Sequence, residues 1–279
     1  GLAVLVVALW RPVAWRWRVL VVGAWIALWS LVSPMVARTW VIGIDVGQGD
    51  ATLILDGSRC VLVDTGGVIR HRPVAMTTIV PVLDAMGVHA IDALIITHHD
   101  TDHDGGLAAL INRYVVRQVI SPSNTFGHHN MALPNGDVQV LASLPYAPSL
   151  PTNDTGLIVT ITLHGVRLLI TGDISDMAEM ALIQMGLIGD IDVLKLGHHG
   201  SQTSSSTALL QTTRPMFAWN SCGVHNRYGH PHASVTRRLA QHGIPHASTH
   251  QDGAIMMQIT PNHMAIHGFL SGRRWEWKR

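Results

Sequence analysis

Thr97-His98-His99-Asp100-Thr101-Asp102-His103-Asp104-Gly105-Gly106 is the stretch on which the reading of this chain turns. It places three histidines and three aspartates within seven positions. Directly before it runs Ile91-Asp92-Ala93-Leu94-Ile95-Ile96, an apolar segment of strand length. An apolar run that closes in a ligand-rich turn predicts a buried strand ending at a metal site. His98, Asp100, Asp102 and His103 have the spacing His-x-Asp-x-Asp-His. Imidazole suits zinc, iron and manganese, and carboxylate shifts the balance towards harder ions such as manganese or magnesium. So many ionisable groups in one turn repel and desolvate one another unless a cation sits among them. A solvated polar loop is the alternative. The strand in front and the Gly105-Gly106 helix start behind argue instead for a fixed geometry.

Outward from this turn, the chain after Thr39 reads as short apolar strands divided by Gly, Asp and Pro. Strands are expected over 40–46, 51–55, 60–63, 91–97, 118–121, 138–142, 157–163, 166–170, 192–196, 216–219, 254–260 and 263–267. Helices are expected over 77–86, 105–112, 176–185, 207–212 and 233–241. Early strands follow one another as a meander and helices separate the later ones, so the order predicts an α/β fold of two sheets, each covered outside by helices. Residues 122–136 read as a long polar loop, either a lid or simply flexible. Three further strand or turn ends carry ligand types: Asp173 after Leu168-Leu169-Ile170, His198-His199 after Val193-Leu194-Lys195-Leu196, and His230 with His232 around Pro231. Ligands from separate rigid elements must converge at one edge of the sheets to form a site.

Charge is unevenly placed. Residues 1–38 hold four basic residues and no acid, residues 39–272 sum to −6, and the last seven residues sum to +3. The middle part lacks the broad basic footprint of a simple nucleic-acid binder. A nuclease remains open, because divalent cations would add positive charge where a phosphate must sit. Two cysteines, Cys60 and Cys222, make no disulfide framework. The chain begins with Gly1, which suggests a piece of something longer. Val19 to Ala37 carries no formal charge and would reach roughly 28 Å as a helix, about the thickness of a bilayer core. Gly1 to Trp10 reads as the tail of an earlier span. Arg11, Arg16 and Arg18 between the two would face the cytoplasm, so the second span would run outward and everything after Arg38 would lie outside. A secretory signal peptide and a buried helix of a soluble protein are the alternatives.

Together these residues resemble the metallo-β-lactamase fold superfamily, in which a first motif His-x-His-x-Asp-His is joined by a later Asp between two metals and a last His. The resemblance covers about residues 40–267. It narrows through Asp45-Val46-Gly47-Gln48-Gly49-Asp50, Val63-Asp64-Thr65-Gly66-Gly67, His-x-Asp-x-Asp-His-x-Gly-Gly and Gly-His-His-Gly-Ser to the C-terminal domain of the ComEC family, membrane channel proteins of competence. The resemblance implies an αββα sandwich over residues 39–270, preceded by the end of a membrane region (1–38). Residues 271–279 read by their charge as a basic tail, whose Trp275 and Trp277 would stack on bases or sit at a membrane surface, or which simply frays. The resemblance also implies two divalent metal ions, zinc or manganese, held by His98, Asp100, Asp102, His103, Asp173 and His198, with Asp173 bridging. Asp102, His199 and His230 are read as the catalytic residues: His199 would touch the leaving group or merely anchor its loop, and His230 would reach the phosphate, act as general acid or be an ordinary turn histidine. Asp64 would orient the metal loop or simply cap a turn. Asp100 stands where many superfamily members have His, Gly156 stands where the competence family usually has Ser near the third motif, and His250 stands where it usually has Asp. The function implied is a nuclease that degrades one DNA strand at the outer mouth of a DNA-uptake channel. Single-stranded DNA, the membrane, an upstream channel domain and other competence proteins would be its partners. A hydrolase of another ester or amide, of lactone or β-lactam type, and a non-catalytic DNA-binding or gating domain are the other readings.

Overall fold

Three short apolar runs open the domain as an antiparallel meander, β1 (Thr39–Gly43), β2 (Thr52–Asp56) and β3 (Arg59–Val63). The structure is a computed structural model that describes Val21 and residues 39–123, 128–142 and 152–279. A hairpin, β4 (Val68–Ile69) and β5 (Arg72–Pro73), leads through a π-helical turn (Ala75–Ile79) into α1 (Val80–Ala85). Then come β6 (Ala90–Ile91), β7 (Ala93–Ile95), α2 (Thr101–Asp104), α3 (Leu107–Arg113), β8 (Val115–Val116) and β9 (Val119–Ile120). The next strands are β10 (His128–Leu133), β11 (Gly136–Ala142), β12 (Leu157–Leu163) and β13 (Val166–Ile170). They are followed by α4 (Asp176–Gln184), β14 (Val193–Lys195), α5 (Thr207–Thr213), β15 (Phe217–Asn220) and α6 (Ala233–Gln241). The chain closes with β16 (His246–Ser248), α7 (Thr249–Asp252), β17 (Ile255–Thr260), β18 (His263–Gly268) and β19 (Arg274–Lys278).

The strands form an eight-stranded sheet, β19-β18-β17-β1-β2-β3-β7-β9, and a seven-stranded sheet, β10-β11-β12-β13-β14-β15-β16. Successive residues along a strand point to opposite faces, and here both faces are covered. In β3, Val61 and Val63 enter the core between the sheets, while Cys60 and Leu62 enter a second core with Ile79, Leu83 and Leu110 from the flanking helical segments. In β13, Leu168 and Ile170 enter the shared core, while Leu169 packs with Leu182, Leu209 and Val235 of α4, α5 and α6. This double burial explains why the strands read as near-continuous apolar runs, without alternation. The layers are those of an αββα sandwich, as the sequence predicts.

Strand direction fixes where chemistry can gather. β3, β7 and β9 run parallel, and so do β13, β14, β15 and β16. The residues that follow β3, β7, β13, β14 and β15 therefore meet at one pole of the sandwich. The opposite pole holds the turns after β2, β10, β12 and β17, together with Thr39 and Arg279. Arg279 donates to the carbonyls of His164 (2.5 Å) and Gly165 (3.0 Å) there.

Two expectations need correction. Residues 128–133 lie within the segment read as a polar loop, yet they pair with β11 as an edge strand. His129, Met131 and Leu133 are the less exposed positions, so the alternation is present, with a histidine at one of its three inward places. Residues 271–279 are no free tail. β19 pairs with β18 in register Met264↔Trp277, and Trp275 and Trp277 pack against Phe217. Arg273 anchors the strand through an ion pair to the buried Asp252. Gly1–Trp10 lies outside the described residues, as does Val19–Ala37 apart from Val21. No helix among the described residues is long and apolar enough to cross a membrane.

Candidate metal centre

The ligand-rich turn follows β7 directly, and Asp64 at the end of β3 holds it. Asp64 Oδ1 accepts from Thr97 N (2.7 Å), and Oδ2 accepts from Thr97 Oγ1 (2.8 Å) and lies 2.8 Å from His103 Nδ1. That contact places the His103 proton on Nδ1 and leaves Nε2 to face inward, the usual arrangement behind a metal-binding imidazole. The carbonyl of His103 accepts from Thr65 N (2.7 Å) and Thr65 Oγ1 (2.9 Å). Gly106 then passes so close that a Cβ would lie 2.4 Å from the Thr65 carbonyl oxygen, which accounts for one of the paired glycines.

Asp173, after β13, is the hub. Its Oδ2 lies 3.4 Å from His103 Nε2, 3.5 Å from His199 Nε2, 3.8 Å from His198 Nε2 and 3.9 Å from His98 Nε2. Asp100 Oδ2 lies 3.5 Å from His98 Nε2, and Asp102 Oδ2 lies 3.1 Å from His199 Nε2. Every metal-ligand residue expected from the sequence thus comes to this pole. The two neighbouring histidines separate sharply, however. Both sit in left-handed backbone, φ 48° for His198 and 55° for His199, and this tight turn sends them different ways. His199 is buried, with its side chain 2% exposed, whereas that of His198 is 34% exposed at the rim. His199 Nδ1 donates to the Ser221 carbonyl (3.0 Å), so its Nε2 also faces the cluster.

Two members were not identified from sequence. Asp50, in the loop after β1, and Lys195, at the end of β14, form a buried ion pair. Asp50, His103, Asp173 and His199 each offer one ligand atom, and these atoms all lie within 4.8 Å of one another. That spread suits donors around one ion with bonds of about 2.0–2.2 Å. A lone charge inside Val193-Leu194-Lys195-Leu196 was the available signal for Lys195, since a buried cation requires a partner.

The electrostatics are those of a site built for a cation. Asp50 Oδ1, His98 Nε2, His103 Nε2 and Asp173 Oδ1 are buried with no hydrogen-bond partner. Buried polar atoms are otherwise nearly always paired. Burial alone would raise Asp173, but the charges of His103 and His199 hold it well below the usual carboxylate range. Burial would lower His103, yet Asp173 and Asp64 hold it well above its ordinary value. Burial is the largest influence on Asp102 and raises it, but the hydrogen bond to His199 together with the charges of His103 and His199 brings it down to about 2. His98 is lowered by burial and by His103. A nitrogen-and-oxygen donor set of this kind fits a divalent transition metal.

Other residues find different places. Asp154 accepts from Ser175 N (2.7 Å) and Ser175 Oγ (2.9 Å), which braces the loop behind Asp173. At Gly156, a Cβ would lie 3.0 Å from the Thr97 carbonyl oxygen and 3.6 Å from His98 Cβ, so the backbone packs directly on the metal turn. His230 stands at the rim, its ring 6.4 Å from that of His199 and 6.0 Å from that of His198. Asn226 pins its backbone at both N and O (2.8 Å each). Burial, then His199 and His198, lower it to about 4. His250 is engaged with Ser248 Oγ (2.5 Å) and Cys222 Sγ (3.3 Å).

Comparison with known proteins agrees with this geometry. The sequence profile of the metallo-beta-lactamase superfamily matches residues 44–215. ComE operon protein 3 of Bacillus subtilis is 30% identical over 247 residues, covering 76% of this chain and 32% of that protein. Competence protein ComA of Neisseria gonorrhoeae is 34% identical over 224 residues, covering 77% and 31%. The chain thus spans about a third of the length of the curated relatives it matches. Among solved structures, a CmlA beta-hydroxylase mutant shares the fold with a TM-score of 0.54 at 12% identity, covering 79% of this chain and 54% of that one. The protein belongs to the metallo-β-lactamase superfamily, as a hydrolase-fold domain whose homologues are ComEC-family proteins.

Proposed function

We propose that this domain is a metal-dependent nuclease that degrades one strand of DNA at the outer mouth of a competence DNA-uptake channel. Asp173 is the observation that carries the chemistry. It is a buried carboxylate whose Oδ2 lies within 4 Å of four imidazole nitrogens and whose Oδ1 has no partner. The direction towards DNA is supported by relatives named for competence and, in Haemophilus influenzae, for recombination. In this reading His98, Asp100, Asp102, His103, Asp173 and His198 would hold two divalent ions, zinc or manganese, and Asp50 and His199 would add to that donor set. Such ions supply Lewis acidity and a water of lowered pKa for in-line attack on a phosphodiester.

The chain's own groups do the positioning. Asp64 and the Ser221 carbonyl fix the His103 and His199 rings with Nε2 inward. Asp102, partly exposed and ionised far below neutrality, accepts a proton bond at the mouth. His230, neutral near pH 7, offers one N–H to the leaving oxygen from the rim. The domain is proposed to lie on the extracytoplasmic side of the inner membrane. A channel portion of the same polypeptide and other competence proteins are its proposed partners. Metal analysis of the purified protein, with cleavage of single- and double-stranded DNA in manganese, zinc and magnesium, tests the enzyme. Bound metal and cleavage of DNA phosphodiesters are expected, with single strands cut at least as well as duplex. Opening of a lactone or β-lactam with DNA left intact in every metal would refute it. Alkaline phosphatase fused after Thr39 should be active, and a silent fusion would place the domain inside.

A further inference from the structure

An open groove of about 490 Å³ lies against the loop that leads to Asp50 of the metal centre. It runs between the β4–β5 hairpin and the turn at Val224. Ile69, Arg72, Val74, Thr77, Val224 and Asp45 are among its lining residues. The loop that carries Asp45 continues to Asp50, and Gly49 lies so close to the metal turn that a Cβ would meet the Asp102 carbonyl oxygen at 2.5 Å. Gly223 donates to Gln48 Oε1 (3.4 Å), so the Val224 wall is tied to that same loop.

The lining mixes two properties that seldom share a surface. Ile69 and Val224 are large apolar side chains 60% and 64% exposed to water. The hairpin tip presents Arg70, His71 and Arg72, all exposed. Arg70 and His71 both adopt left-handed backbone, φ 49° and 62°. Such a turn normally uses Asn or Gly. Among the described residues, neither Arg70 nor Arg72 has an acidic partner, while residues 39–272 as a whole sum to −6. Asp45 is turned into its own loop, accepting from Gly47 N (3.1 Å). Unpaired guanidinium groups beside an exposed apolar wall suit a ligand that alternates phosphate with flat apolar rings, as a single nucleic-acid strand does. A bilayer surface needs a convex apolar face, and this one is concave.

Resting on the nuclease reading, we infer that this groove is the track for the single DNA strand next to the scissile phosphate. Arg70 and Arg72 bind its phosphates and Ile69 and Val224 its bases. The test uses the intact protein with R70Q/R72Q and V224D, and fluorescein-labelled oligothymidylates of 2, 6 and 20 nucleotides. R70Q/R72Q should raise KM for the 20-mer roughly tenfold, with the effect in KM and not in kcat. That penalty should fall as the substrate is shortened towards the dinucleotide. In anisotropy titrations, the slope of log K against log salt should become shallower by about 0.7 for each phosphate that is no longer neutralised. Cleavage of the 20-mer by both variants with wild-type KM and wild-type salt slope would overturn the groove while leaving the nuclease standing. A wild type that binds the 20-mer but cleaves nothing, with binding weakened in R70Q/R72Q, would sink the nuclease and keep the track. Loss of binding to phosphatidylglycerol vesicles with unchanged oligonucleotide KM would make the groove a membrane contact and overturn the inference.

Discussion

The two poles of the sandwich each bury carboxylates, and they treat them in opposite ways. At the pole away from the metal centre, Asp56 is fully buried and both its oxygens are bonded. Oδ1 accepts from Thr39 Oγ1 (2.8 Å) and Asn135 Nδ2 (2.6 Å), and Oδ2 accepts from Asn135 N (2.6 Å). At the other pole, Asp50 and Asp173 are just as buried, yet each keeps one oxygen with no partner. Neutral donors hold Asp56; Asp173 faces imidazoles. A buried carboxylate whose partners are neutral and complete is a fastener. One left incomplete among histidines is a binding group, because the missing share of its solvation must come from a ligand.

The contrast breaks most visibly by substitution. Asp173→Ala should lower kcat/KM for DNA at least a thousandfold, since the metals and the chemistry depend on it. In chelator it should still fold cooperatively, losing only the stabilisation from its pairing with His103 and His199. Asp56→Ala should do the reverse. It is expected to cost about 3 kcal/mol in urea unfolding, with activity per folded molecule retained. Equal loss of activity in both variants would erase the distinction between the poles.

Lys195→Met tests a third situation, a buried charge paired with a member of the cluster. Removing the ammonium leaves Asp50 uncompensated, which should destabilise the metal-free protein by about 3 kcal/mol. Added manganese should restore part of the loss, because a cation can compensate Asp50 in its place. A loss that ignores added metal would show that Asp50 does not face the ion.

Chelation should lower the thermal midpoint by roughly 5–10 °C, from about 2.7 kcal/mol of binding free energy at a hundredfold excess over Kd. Asp56→Ala should show the same shift, offset by a constant. If chelation moves nothing, the unpaired atoms of Asp50, His98, His103 and Asp173 have some other explanation.

The smallest effect expected is on pH dependence. His103 has a raised folded pKa, so its contribution is complete below the ordinary histidine value near 6.5 and fades as pH rises through the folded value. Asp173 and Asp102 have depressed folded pKa values, so theirs is complete above the ordinary carboxylate value near 3.8 and fades as pH falls, through about 2 for Asp102. The chelated protein should therefore be most stable between about pH 4 and 6.5. The loaded protein should gain as pH rises towards 7, because cations displace those protons. A single shared optimum in differential scanning fluorimetry would contradict the proposed exchange of protons for metal.

Much of this could be read beforehand. The metal turn, Asp173 and the His pair each follow an apolar strand, and the layered architecture follows from strand and helix order. The parts that escaped did so for physical reasons. His198 and His199 are adjacent, and only the left-handed turn they occupy decides which one points inward. Asp50 closes the motif that begins at Asp45, but that motif does not show its role, which depends on Lys195, 145 positions later. β10 hid its alternation behind histidine and asparagine. β19 had a visible signal in Arg274-Trp275-Glu276-Trp277-Lys278, where two tryptophans alternate with charges. Its terminal position and basic charge obscured a strand whose tryptophans close the shared core.

That last strand bears on how the domain would yield to force. β1 begins and β19 ends at the same pole, in one sheet, with only β17 and β18 between them. A pull applied between Thr39 and Lys278 would load the β18–β19 bonds one pair at a time, starting at His263↔Lys278, as a zipper opens and not as a lap joint shears. The first event under tension would be the peeling of β19 and the uncovering of Phe217. Asp64, Asp173 and His199, held by strands nearer the centre of each sheet, would keep their arrangement while the outer edge gave way.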